Sequence, residues 1–243
     1  MAVVKRLNNI LKYGLGPAAR ERKLADKARR REEKFASGLW QQGSELARRQ
    51  YDSYEDYLGH QAAKLEGIDH RLRETEAEDL ASFRERFAHC PGLAGARSVL
   101  CLGARLGTEV RALHGLGYFA VGIDLNPGAD NAWVLPGDFH RLVFADASVD
   151  AVYTNALDHV FDLARVVAEI QRVLRPTGLF VADIIAGFEE GFTPGNFEAL
   201  HWKNTAEFAG KIAELGGFTR ESSRDLGQIR RDRWTQVVFR KPG

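Results

Sequence analysis

Two periodicities divide the chain. From Ser44 to about His89, apolar positions recur at helical spacing: Tyr51, Tyr54, Tyr57, Leu58 and Leu65, then Leu80, Phe83 and Phe87. That stretch reads as helical. Pro91–Gly92 and Gly95 then punctuate the chain, and beyond them short apolar runs alternate with amphipathic segments. The pattern predicts strands at Arg97–Leu102, Tyr118–Ile123, Trp133–Leu135, Ala151–Thr154 and Leu179–Ile184. It predicts helices at Thr108–Leu116, Leu163–Leu174 and Thr205–Leu215. Two final strands, Phe218–Asp225 and Thr235–Arg240, are joined by a loop too short for a crossover helix, so they should pair antiparallel. Strands alternating with helices imply βαβ units. The expected fold is α/β: a doubly wound, seven-stranded, mostly parallel sheet with an antiparallel last strand, plus a helical N-terminal extension. The expected division is residues 1–95 for a basic arm and helical extension, and residues 96–243 for the α/β domain.

Composition narrows the class. The 243 residues are 44% hydrophobic and 28% charged, with a net charge of +1, as in a globular protein. Two cysteines, Cys90 and Cys101, make neither a disulfide framework nor a zinc cluster, which suits a reducing compartment. No apolar run approaches the ~20 residues of a membrane span. Lys5, Arg6 and Lys12 interrupt what would be a signal peptide's apolar core. A cytoplasmic location is therefore expected. Charge is unevenly placed: residues 1–34 hold 11 Lys/Arg against 4 Asp/Glu. Within this arm Val3, Val4, Leu7, Ile10 and Leu11 share a helical face. The arm reads as a solvated helix, with two sharper alternatives: a membrane-peripheral anchor on an anionic surface, or a footprint for nucleic acid.

The candidate chemistry begins where the first strand of the α/β domain ends, in Cys101-Leu102-Gly103-Ala104-Arg105-Leu106-Gly107-Thr108. A glycine-bearing turn between a strand and a helix lets the backbone approach a ligand and aims helix N–H groups at an anion. Asp124 follows at the end of the second strand, about 20 residues on, where a carboxylate can accept both ribose hydroxyls. A helix cap is the plainer role for it. Two further stretches resemble a known family, the class I S-adenosylmethionine-dependent methyltransferases. Gly137-Asp138 followed by Leu142-Val143-Phe144-Ala145-Asp146-Ala147-Ser148-Val149-Asp150 is similar to that family's "G-D … L-P-F-x-D-x-S-F-D". Glu169-Ile170-Gln171-Arg172-Val173-Leu174-Arg175-Pro176-Thr177-Gly178 is similar to its "E-x-x-R-V-L-K-P-G-G".

The resemblance implies a Rossmann-like domain with S-adenosylmethionine as cofactor. Gly103, Ala104 and Gly107 would border its methionine end. Asp124 would take the ribose, with Leu125 against the adenine; Asp138 would accept the adenine amino group beside Phe139. Asn155 and Ala156 would face the methionine part. The family usually has an acid at Cys101 and a glycine at Arg105. Arg105 either points to solvent or grips the cofactor carboxylate or the acceptor. Asp158 and His159, just beyond the fourth strand, are the candidate catalytic pair, with His159 as base for an acceptor hydroxyl; His140 is the poorer candidate. No metal is expected, because Asp158 and His159 lack spacing partners. The connection Ala186–Trp202, with Phe188, Phe192, Phe197 and Trp202, reads as a lid, and the Tyr51–Leu65 helix as a cover from the other side. The expected function is methyl transfer to a small-molecule or glycan acceptor, at a hydroxyl oxygen. The alternative is a non-catalytic cofactor-binding or interaction protein with a degenerate methyltransferase fold, which Cys101 and Arg105 would favour. The absence of an Asn-Pro-Pro-aromatic tetrapeptide after the fourth strand speaks against nucleic-acid methylation.

Overall fold

The computed structural model describes residues 38–243 continuously and, before them, the helical positions 18, 19, 21, 22, 25, 26, 29 and 33. The apolar face Val3–Leu11 and most of the basic run lie outside the described residues.

Ten strands and six α-helices follow one another from Trp40 to Arg240. Strand β1 (Trp40–Gln42) and β2 (Leu46–Arg49) form a hairpin, and β2 also pairs antiparallel with β8 (Leu200–Trp202). This corrects the helical reading of Ser44–Arg49. Besides its local hairpin with β1, β2 pairs with residues more than 150 positions on, and that second pairing leaves no local trace. Helices α1 (Tyr54–Ala62), α2 (Lys64–Glu74) and α3 (Glu76–Ala88) complete the N-terminal part. Ser53 caps α1, its hydroxyl accepting from the Asp56 N–H at 3.1 Å.

The main sheet has seven strands in the order β5-β4-β3-β6-β7-β10-β9. Strands β3 (Ser98–Leu102), β4 (Phe119–Asp124), β5 (Val134–Pro136), β6 (Val149–Thr154) and β7 (Leu174–Ile185) are parallel. β10 (Asp232–Arg240) is antiparallel between β7 and β9 (Thr219–Ile229). The doubly wound, seven-stranded arrangement with an antiparallel late strand is thus present. Helix α4 (Thr108–Gly115) follows β3, α5 (Leu163–Val173) precedes β7, and α6 (Thr205–Gly216) precedes β9. On α5, Leu163, Val166, Val167, Ile170 and Val173 are buried at three- and four-residue spacing, so one stripe faces the sheet. Asp162 caps that helix, accepting from the Arg165 N–H at 3.1 Å. The opposite face of the sheet is covered by α3 and α4, where Phe83 and Phe87 pack with Val99, Cys101, Val110 and Tyr153.

The two family-like motifs meet here. Glu169 accepts the Leu142 N–H at 2.7 Å. Arg172 donates to Glu169, to Asp146, and to the carbonyls of Leu142 and Phe144. These stretches therefore hold the loop before β6 against α5, and their chemistry is that of a clamp. Among the described residues, no helix is long and apolar enough to cross a membrane.

Candidate functional site

The strand order reverses direction at β3, with β4 and β5 on one side and β6 on the other. Open α/β sheets bind ligands in the crevice at such a point, outside the carboxyl ends of the strands. A cavity that is partly open to solvent lies there. Its floor comes from strand ends: Gly103 and Arg105 after β3, Asp124, Leu125 and Asn126 after β4, Phe139 after β5, Ala156 and His159 after β6. Its roof is the N-terminal part: Tyr57 and Gln61 of α1, Lys64 and Leu65 of α2.

Gly103 has φ +71°, and a Cβ there would lie 2.7 Å from the Ala156 Cβ. Only glycine keeps this wall open. Asp124 is held with both oxygens occupied: Oδ2 accepts the Arg105 N–H at 3.0 Å and Oδ1 the Asn126 N–H at 2.9 Å. Burial raises its carboxyl above the ordinary value, against the lowering effect of those two N–H groups and the charges of Arg105 and Lys64. Spare lone pairs on both oxygens remain for ligand hydroxyls. Arg105 sits in the left-handed region at φ +44°, a conformation that glycine adopts freely, and it lines the cavity.

Of the sequence-predicted residues, Gly103, Arg105, Asp124, Leu125, Phe139, Ala156 and His159 come together around the cavity, while Ala104, Gly107, Asp138, Asn155 and Asp158 are outside its lining. Gly107 has φ +77° and is pressed against Trp133, where a Cβ would come within 2.8 Å. Ala104 packs in the core beside Cys101. Asp138 is taken up by protein: Tyr54 donates to its Oδ2 at 2.5 Å, and the His140 N–H to Oδ1 at 2.8 Å. His140 Nε2 accepts from the N–H groups of Phe161 and Asp162. Its proton therefore sits on Nδ1, donated to Asp138 at 2.8 Å. Burial works to raise Asp138, but the hydrogen bonds of His140 and Tyr54 outweigh it and hold the carboxyl low. Cys101 is fully buried in the apolar core, so its thiol does not reach the cavity. The nearest comparable acid is Glu109 of α4, buried and pushed up to about 7 by desolvation.

The proton-handling groups lie at one end. His159 donates from Nδ1 to the Phe197 carbonyl at 3.0 Å, which leaves Nε2 as an acceptor facing the Lys64 amine. Asp158 Oδ2 is 3.5 Å from the same Nε2. Atoms of Asp158, His159 and Glu198 lie within 4.8 Å of one another, and Glu198 Oε2 is buried without a hydrogen-bond partner. Burial, then Lys64 and Arg105, push the His159 imidazole well below its usual range. Burial, then Glu198, raise Asp158, with Lys64 opposing.

Sequence reasoning missed Gln61, Lys64, Asn126 and Glu198. The tyrosine pattern of α1 signalled a cover, but nothing distinguishes Lys64 or Glu198 from other charged residues in a polar helix and loop. The connection Ala186–Trp202 does close one side: its Phe197 carbonyl accepts from Gln61 Nε2 at 2.7 Å as well as from His159, and its end pairs with β2 as β8.

Comparison with known proteins fits this geometry. Among solved structures, the chain is similar to the Burkholderia thailandensis 1,6-didemethyltoxoflavin-N1-methyltransferase with bound 1,6-didemethyltoxoflavin and S-adenosylhomocysteine (18% identity, TM-score 0.63, 85% of this chain and 100% of that one). It is also similar to a chain of the Haloferax volcanii complex between the Trm112 methyltransferase activator and a methyltransferase (20%, 0.56, 72% and 96%). A third likeness is the cyclase SpnF (16%, 0.52, 67% and 80%). At these identities the likenesses establish the fold, and the third shows that the fold also serves another reaction. No curated protein matches the chain. The family model described as "Methyltransferase domain" matches residues 100–182, which span β3 to β7 and include every floor residue of the cavity. Residues 100–182 thus match a methyltransferase domain, and the solved structures that resemble the chain share its fold.

Proposed function

We propose that the protein transfers a methyl group from S-adenosylmethionine to a small-molecule or glycan acceptor, at a hydroxyl oxygen. The observation that supports this best is the single cavity in which Asp124 and the Gly103 wall stand at one side and His159 with Lys64 at another. The donor-accepting groups suit the cofactor: Asp124 offers a carboxylate to the ribose, Leu125 and Phe139 offer apolar faces to the adenine, and Gly103 and Ala156 leave room for the methionine part. Asp138, held by Tyr54 and His140, keeps a spare lone pair on Oδ2 for the adenine amino group. Ala104, Gly107 and Asn155 act behind the wall, by shaping the loop ends. Arg105 is placed to pair with the cofactor carboxylate.

The bound cofactor supplies an electrophilic methyl group on a cationic sulfur. The chain's task is alignment of an acceptor and disposal of its proton. α1 and α2 roof the cavity and the Ala186–Trp202 connection closes beside it; His159 brings a proton-handling group to its wall, with Asp158 behind it. The cover of α1 and α2 over the cavity favours a small acceptor over a polymer. This reading assigns the protein to the cytoplasm, with the basic arm as a solvated extension. An unbiased acceptor screen with isotope-labelled S-adenosylmethionine tests the reading: label should pass to hydroxyl-bearing small molecules or sugars. Exclusive labelling of nucleic acid or protein would overturn it.

A further inference from the structure

The group of Asp158, His159 and Glu198 has the spacing of a cation site, yet a metal ion on His159 Nε2 would have to displace Lys64, which already contacts that nitrogen. Lys64 opens α2, directly after the α1–α2 junction at Ala63, and lines the cavity. Its close polar partner is a neutral imidazole acceptor. Among the described residues, no carboxylate comes within ion-pair distance of it. An ammonium held in that way is poorly compensated, and a free amine is not.

The groups that face it decide its state. From the loop after β3 comes the Arg105 guanidinium, and from the end of β4 comes Asp124. Asp158 and His159 come from the 3-10 turn after β6, and Glu198 from the Ala186–Trp202 connection. His60, on α1, adds its charge to His159 when protonated. Burial and the Arg105 charge lower the Lys64 amine to about 7, against the pull of Asp158, Glu198 and Asp124.

We propose that Lys64, presented as a free amine on His159 Nε2, is the general base that takes the proton of the methyl acceptor. The proposal rests on the methyl-transfer reading and deepens it: the acceptor must lose a proton, so it is a hydroxyl or N–H compound, not a tertiary amine or a thioether. In the step, the acceptor's O–H or N–H bond breaks and its proton goes to the Lys64 lone pair. The acceptor's electron pair forms the new bond to the methyl carbon, and the pair of the breaking carbon–sulfur bond stays on sulfur. One cation is lost at sulfur and one gained at Lys64, so the cavity's charge is unchanged. His159 is a positioning residue in this scheme. Its own basicity is suppressed, while its Nδ1 bond to Phe197 fixes the tautomer that receives Lys64.

The test is a pH titration of the intact protein carrying carbon-13 lysine, followed by nuclear magnetic resonance. Lys64→Arg and Lys64→Met each identify the Lys64 signal, so one folded variant suffices. The expected midpoint is about 7, against the ordinary 10.5. Adding S-adenosylmethionine, a cation, should lower the midpoint further, and neutral S-adenosylhomocysteine should lower it less. A midpoint near the ordinary lysine value, or one that responds equally to the two ligands, overturns the proposal. Magnesium, manganese or zinc ions binding tightly in a manner that Asp158→Asn abolishes also overturns it, in favour of a metal site. Calorimetric heat from neither cofactor nor product would instead overturn the methyl-transfer reading, whatever the Lys64 midpoint.

Discussion

Two buried clusters in this molecule bring carboxylates and cations together to opposite ends. Under α3, Asp183 receives Arg86 at 2.5 Å, Tyr153 at 2.8 Å and Gln236 at 3.0 Å. Arg224 ties Gln236 to the Arg86 carbonyl. Asp183 and Arg86 pair with each other, Arg224 reaches carbonyl and amide oxygens with only its Nε left over, and α3 is fixed to β6, β7 and β10. At the carboxyl ends of the strands, Lys64, Asp158, His159 and Glu198 share a smaller space. There the lysine meets an imidazole rather than a carboxylate, and a Glu198 oxygen has no partner. Satisfied burial makes structure; incompletely satisfied burial beside a cavity stores altered proton affinities.

The comparison can be broken first at Asp183. Asp183→Ala should cost about 3–5 kcal/mol in urea unfolding, because Arg86 is left charged and buried. The cofactor affinity of the protein that remains folded should hardly change. A loss below ~1 kcal/mol would mean that the cluster is not the clamp it resembles.

Asp124→Ala should show the reverse profile. Losing a charged acceptor removes about 1.5–3 kcal/mol of binding, so S-adenosylmethionine should bind roughly ten- to a hundred-fold more weakly by calorimetry. Equal affinity in mutant and parent would take Asp124 out of the site.

The double variant Lys64→Met/Asp158→Asn should gain about 1–2 kcal/mol of stability at neutral pH, the usual exchange of function for stability. Lys64 has a folded value below its unfolded one. Its cost is full at and below pH 7 and fades as pH rises toward 10.5. Asp158 has a folded value above its unfolded 3.8, so its cost fades as pH falls toward 3.8. The two costs overlap near neutrality, and the gain in melting temperature should peak there. A gain that is flat with pH would place its origin in packing.

Deleting residues 1–34 should have the smallest effect. Melting temperature and cofactor affinity should be nearly unchanged, since among the described residues neither cluster draws on the arm. Sedimentation of the intact protein with anionic vesicles, lost in the deletion, would show that the arm binds such surfaces; sedimentation of neither form would discard that role.

Much of the architecture was legible because it is written in local period. The stripe on α5, the runs of β3, β4, β6 and β7, and the short connection between β9 and β10 each carry their own pattern. The cavity floor was legible for a related reason: in a doubly wound sheet, strand ends converge, so residues just past Leu102, Asp124, Pro136 and Thr154 meet wherever the strands pair in that order. The hairpin β1–β2 was not legible, because its strands are only three and four residues long and β2 is completed by the distant β8.

What the sequence determined by itself, then, is the sheet, its helices and one wall of the site, since those depend on periodicity and on strand ends. The tertiary structure alone decided the other wall and its chemistry. Lys64 and His159 are 95 residues apart and touch only because α1 and α2 fold back over the strand ends, with the Tyr57 hydroxyl on the His159 carbonyl at 2.9 Å. A proton affinity belongs to burial and to neighbouring charge, and a linear sequence specifies neither until the chain has closed.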